Sequence, residues 1–316
     1  VFNQVPYMAL LPEIATTDHH RVRISAWNSS SLLIAMIVGG LAGPLIERVG
    51  YAATALIYAA ISLPLFYLPF LVLKEDTKFQ PTEIPERINV LHEFGALFKN
   101  RAFVIMITTW VLYWSTTTFF QSIVPYIVTE ICELTIGDTL YFYIPGVLGS
   151  LACYPLVTWL AKKYGKWAVF AGSLLASAFV LPWLMAIGQW FPLPLSVQGI
   201  IWITLQAIAM SGVTMLPTAF IAEVANYDTQ LTGQHREGTY YAMLGVLDQV
   251  INGAAAALLP MILLLGRSRL DPQGPLGVRL IGVIGGTMMF VGFLVFLNYP
   301  LRYKENATTK DSLQIY

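Results

Sequence analysis

The chain has 316 residues, 56% of them hydrophobic and only 11% charged, with 18 basic side chains balanced by 18 acidic ones. Soluble domains carry about 25% charged residues, so a mean hydropathy of +0.64 excludes an ordinary soluble enzyme, a disordered chain and a nucleic-acid binder with a basic face. The solvent of this protein is lipid, and there the position of each charge matters more than the sum. Cys132 and Cys153 are too few for a disulfide framework or a zinc site.

The opening VFNQVPYMALLPE has neither the basic start nor the small-residue cleavage site of a secretion signal. It reads as a membrane helix already under way, with earlier helices expected ahead of it. Apolar stretches of about 17 to 25 residues cross a bilayer core of about 30 Å at 1.5 Å per residue. Nine such spans are predicted, over residues 1–15, 24–46, 52–73, 102–128, 139–161, 167–188, 198–224, 238–266 and 278–298. Prolines 125, 145, 155, 182 and 217 predict tilts or breaks within them.

Loops 16–23, 74–101, 162–166 and 225–237, with the tail from 299, fall on one side and hold 14 of the 18 basic residues. The positive-inside rule makes that side cytoplasmic and predicts a protein of the cytoplasmic membrane with its C-terminus inside. The one long connection, 74–101, divides the chain into a first part of three spans (1–73) and a second of six (102–298), followed by the tail 299–316. Within it INVLHEFGALF predicts an amphipathic surface helix, and the lone His92 reads as a solvated face residue.

The ends of the first and seventh spans repeat. Each carries Glu-x-Ala-x-x-Asp followed by His-Arg: Glu13, Ala15, Asp18, His20, Arg21 and Glu223, Ala225, Asp228, His235, Arg236. The two glutamates lie 210 residues and six spans apart. Parallel six-helix repeats are the architecture of major-facilitator bundles, in which one half rocks against the other. The seventh span is then helix ten of twelve and the first is helix four, so the fold predicted is an all-α polytopic major-facilitator bundle with nine spans of twelve in this chain. Glu13 and Glu223 are candidate gate residues, pairing with Arg21, Arg23 or Arg236 across the cytoplasmic side. LAKKYGK (160–166) is the short basic turn between two spans.

These residues resemble the glycoside-pentoside-hexuronide:cation symporters, the melibiose permease-like family. VPYMALLPE with HHRVR is similar to that family's helix-four signature, and EVANYDTQLTGQHREGTYYAMLG to its signature between helices ten and eleven; order, spacing and the closing NYPL fit over nearly the whole chain. The resemblance implies sugar:cation symport driven by a sodium or proton gradient. It also shows departures. Where the family places a cation-binding carboxylate, a sugar-binding Arg and a helix-eleven Lys, this chain has Gln4, Asn28 and Gln249, so these positions do not imply sodium coupling in the family manner.

An ionisable group at mid-membrane is costly and marks a functional position. Asp248 lies ten residues beyond Gly238, roughly 15 Å into its span, and shares a face with Gly245 and Asn252. It is the candidate coupling residue, a carboxyl able to carry a proton; a structural aspartate bonded to a neighbouring helix is the alternative. In the fourth span Trp110, Tyr113, Trp114, Thr117 and Gln121 recur at helical spacing, and aromatic plates with hydrogen-bonding groups suit a sugar. Trp202, Gln206 and Thr214 in the seventh span, with Gln4, Asn28, Ser31, Gln249 and Asn252, are expected to complete the cavity; an aromatic packing stripe is the bland alternative.

No phosphate loop, metal-ligand spacing or nucleophile–base pair is present in the sequence, so neither an enzyme nor a resident metal or cofactor is expected. The expected function is secondary active transport of a small polar solute, a sugar or glycoside, by rocker-switch alternating access coupled to a proton or sodium ion. The alternatives are a lysolipid or amphiphile carrier of the same fold and a non-transporting membrane scaffold. The expected partners are the solute and the bilayer, with no nucleic acid; oligomeric state is not legible.

Overall fold

A computed structural model describes residue 35 and residues 38–72, 94–95, 97–189, 192–233, 237–265 and 276–300. The described residues are helical, and seven helices among them are long and apolar enough to cross a membrane. The predicted span 1–15, most of 24–46 and most of the linker 74–101 lie outside the described residues; Gln4, Glu13, Arg21, Arg23, Asn28 and Ser31 do too, as does Arg236.

The elements follow in chain order. Helix α1 (Ala42–Val72) is two helical segments meeting at Gly50, whose φ of 81° and ψ of 168° lie in a region open only to glycine. Helix α2 (Arg101–Tyr126) starts at Asn100, whose side-chain oxygen accepts from the backbone N–H of Ala102 and Phe103, satisfying two of the orphan donors of a helix start. A π-helical turn (Ile127–Ile131) and a single 3-10 turn (Ile136–Asp138) lead into α3 (Thr139–Tyr164). Gly165 then repeats the Gly50 conformation, φ 86° and ψ 152°, and reverses the chain into α4 (Lys166–Val180) without a loop. A 3-10 segment (Leu181–Ala186) extends α4; α5 (Leu195–Met215), α6 (Pro217–Thr232), α7 (Glu237–Leu263) and α8 (Leu276–Phe296) complete the bundle.

The prolines act in different ways. Pro217 opens α6 after the chain breaks at Leu216, and Pro182 opens the 3-10 segment, because a ring at the first positions of a helix removes only N–H groups that are orphans anyway. Pro145 and Pro155 sit inside α3, which continues through both, and Pro125 lies inside α2 just before the π-helical turn.

Lipid gives helices little hydrophobic reason to associate, so close packing holds them. Helix α3 packs along α5, and α8 packs along α2 and α4. Gly286 permits the second approach: a Cβ there would lie 2.7 Å from the Pro182 ring and 3.0 Å from the Ala178 carbonyl. Toward the basic end of the bundle, where Lys162, Lys163 and Lys166 lie, Phe170, Phe220, Phe296 and Tyr299 form one cluster with centroids 4.7 to 5.5 Å apart, all buried. At the other end Gln198 is buried and ties the α4–α5 connection, accepting from Gly188 N and donating to the Leu193 carbonyl.

Candidate functional site on helices α2 and α7

Helices α2 and α7 run side by side and are joined by side chains at three levels. Nearest the basic end Asn100 Nδ2 donates to Tyr240 Oη at 3.3 Å, and the Tyr240 ring meets Phe103 edge to face at 4.9 Å. In the middle Trp110 Nε1 donates to Asp248 Oδ1 at 2.7 Å. Above that Thr118 Oγ1 lies 3.1 Å from Asn252 Oδ1 and 3.0 Å from the Trp114 carbonyl of its own helix. Asp248 is the twelfth residue of a 27-residue helix, about half-way through the bilayer core. Its carboxyl is half-buried and held by an indole.

Around Asp248 the aromatic residues are ordered. Trp110 stacks on Trp114 with centroids 6.0 Å apart and planes 21° apart, and both meet Tyr113 edge to face. The Trp114 indole N–H is buried and has no acceptor among the described residues. Gln121, Gln249 and Asn252 are exposed on the same two helices. Together they bring one carboxyl, a buried indole donor without an acceptor among the described residues, three amides and a stacked aromatic plate to one pair of helices. Such a set hydrogen-bonds hydroxyls while packing against C–H faces, the two demands a polyhydroxylated solute makes. Among the described residues no three His, Cys, Asp or Glu side chains gather to hold a metal.

Five expected cavity residues point elsewhere. Tyr113 is 2% exposed and packs edge to face on Phe170 of α4, and Thr117 is buried with its hydroxyl on the Tyr113 carbonyl. A stripe of helical spacing covers at least 100° of the surface, and its Tyr113–Thr117 edge faces the core. Trp202 is buried, donates to the Val180 carbonyl and meets Phe120, while Gln206 is fully buried within α5. Thr214 is exposed, its hydroxyl on the carbonyls of Met210 and Ser211 of its own helix. A separate apolar pocket, lined by Phe119, Phe120, Ile123, Leu184, Trp202 and Ile281, lies on the opposite face of α2.

Thr118 was missed, and its signal was weak. Three consecutive threonines, 116 to 118, point in three directions, and only the neighbour on each side selects the one that meets α7. At the basic end Glu223 is ion-paired with Lys166, the first residue of α4. The expected partner Arg236 lies outside the described residues; Lys166, which the spacing did not suggest, pairs with Glu223 from a neighbouring helix.

No curated protein matches the chain. Residues 1–307 match the family described as MFS/sugar transport protein, a family of transporters and not of enzymes. With that match over nearly its whole length, and with its helices long enough to span a bilayer, the chain belongs to the MFS/sugar transport family and is an integral membrane protein built as a major-facilitator helical bundle.

Proposed function

We propose that this protein takes up a small polyhydroxylated solute, a sugar or glycoside, by alternating access, in symport with a proton or sodium ion coupled through Asp248. The observation that carries the reading is the Trp110–Asp248 hydrogen bond at mid-membrane beside the Trp110–Trp114 plate. A carboxyl there is retained against a desolvation cost of several kcal/mol, and the stacked rings beside it suit a sugar. The ion acts on the carboxyl, the solute on the indole and amide groups next to it, and the two occupy adjacent positions on one pair of helices. The positive-inside count supports a C-terminus in the cytoplasm and uptake from the opposite side.

The test is uptake into proteoliposomes, with glycosides, uronides and lysolipids offered under imposed proton or sodium gradients, for the wild type and Asp248→Asn. The amide still accepts from Trp110 but takes up no proton and carries no charge. The expected result is gradient-driven accumulation of one sugar class, abolished in Asp248→Asn while solute exchange without a gradient persists. Full accumulation by the variant would overturn coupling at Asp248; flux of lysolipid with none of sugar would overturn the solute class.

A further inference from the structure

At the end of the bundle opposite Lys166, one face of α1 is seated on the turn between α2 and α3. Gly43 and Glu47 are one helical turn apart on that face, and both touch the 3-10 turn Ile136–Asp138. Glu47 Oε1 accepts from the Gly137 backbone N–H at 2.8 Å. Gly43 is buried against Ile136; a Cβ there would overlap the Ile136 carbonyl oxygen, and its carbon would be 3.2 Å away. Gly137 is equally without room, because a Cβ on it would lie 2.6 Å from Glu47 Cδ. Gly40, a turn earlier, continues the seat toward Leu140, which a Cβ would approach to 3.0 Å.

The turn is otherwise closed on itself. Thr135 donates to Asp138 Oδ2 through both its hydroxyl, at 2.8 Å, and its backbone N–H, at 3.1 Å. Gly137 N–H is left pointing out of that box and finds its acceptor on α1, an element that lies on the other side of the long linker in sequence. Glu47 itself is exposed, so water can replace the amide when the two surfaces part. A single hydrogen bond of this kind shifts an equilibrium by about two- to tenfold, enough to bias two conformers without locking either.

We propose that Gly43, Glu47 and Gly137 form a latch that holds α1 against the α2–α3 turn and closes the transport path at that end. The latch rests on the alternating-access reading of the fold. The side of the membrane it closes is the external one by the distribution of basic residues, and each transport cycle has to release it. Side chains larger than hydrogen at Gly43 remove the closed seat, and loss of the Glu47 acceptor loosens it.

The test reads access without any solute. Asn252→Cys, on the path beside α2, is labelled with a membrane-impermeant maleimide in right-side-out and inside-out vesicles, in a Cys153→Ser background. Cys132 is buried, which keeps the maleimide from it and pushes its thiol up to about 11, so little of it is thiolate. Glu47→Ala is expected to raise the labelling rate from the right-side-out face about two- to tenfold, with Glu47→Gln, which keeps an acceptor, near wild type and Gly43→Ala as fast as Glu47→Ala or faster. An unchanged rate in Glu47→Ala, or Glu47→Gln labelling as fast as Glu47→Ala, would overturn the latch. The exposed Glu47 pair of variants decides the matter independently of whether Gly43→Ala folds. Because the readout needs no sugar or ion, failure of the uptake experiment and failure of the latch are separate results.

Discussion

Asp248 and Trp110 act as one unit, because a carboxyl at mid-membrane needs a donor and an indole offers a single one aimed from a rigid ring. Trp110→Phe keeps the ring and the stack on Trp114 but deletes the 2.7 Å hydrogen bond. An unsatisfied buried polar group costs about 1–3 kcal/mol, so gradient-driven uptake by Trp110→Phe is expected to fall about tenfold or more. Thermal melting in detergent should move by only a few degrees; uptake rates equal to wild type would show the indole N–H to be dispensable. The aspartate was legible from sequence because an acidic residue in a 27-residue apolar helix is conspicuous. Its partner was legible only as a member of an aromatic stripe. Which tryptophan faces α7, and that Thr118 rather than Thr117 does so, depend on the rotation of α2 about its own axis, which neighbouring helices set.

At the scale of elements, small residues set the distances between helices. Gly286 is where α8 crosses α4 and the start of the 3-10 segment, with Pro182 and Ala178 in contact range of a missing methyl. Gly286→Ala is expected to destabilise by about 1–3 kcal/mol through overpacking, whereas Gly172→Ala, an exposed position on α4 with nothing within 4 Å, should leave the melting temperature unchanged or raise it. Differential scanning measurements in the same detergent distinguish the two; equal shifts would mean that the α4–α8 contact is soft. The spans themselves were readable from hydropathy alone: 278–298 was expected and α8 is Leu276–Phe296, 167–188 was expected and the apolar helix runs Lys166–Ala186. The two glycine reversals were partly readable. The sequence leaves only five residues between spans at 47–51 and 162–166, but that Gly50 and Gly165 adopt nearly the same backbone angles is a fact of conformation, not of composition.

Across the whole molecule, the ion pair at the basic end and the latch at the opposite end mark the two mouths of the proposed path. Lys166 and Glu223 join α4 to α6, both of which follow the linker in sequence. Side chains about one third exposed give a pair worth ~0.2–1 kcal/mol. Lys166→Glu or Glu223→Lys alone is therefore expected to slow uptake modestly and the exchanged double variant to restore it, measured in proteoliposomes; a double variant no better than either single one would mean that the charges act on other partners. By itself the sequence determined that the chain lives in lipid, where the spans among the described residues lie, which side is basic and that an aspartate falls near the middle of one of them, because each of these follows from the cost of placing polar groups in hydrocarbon. Only the tertiary structure decided that Trp110 holds Asp248, that Tyr113, Trp202 and Gln206 belong to the core, and that Glu47 reaches Gly137. Lipid does not distinguish one apolar face of a helix from another, so the rotation and crossing of the helices are set by van der Waals fit between particular side chains, and fit of that kind has no period in the sequence.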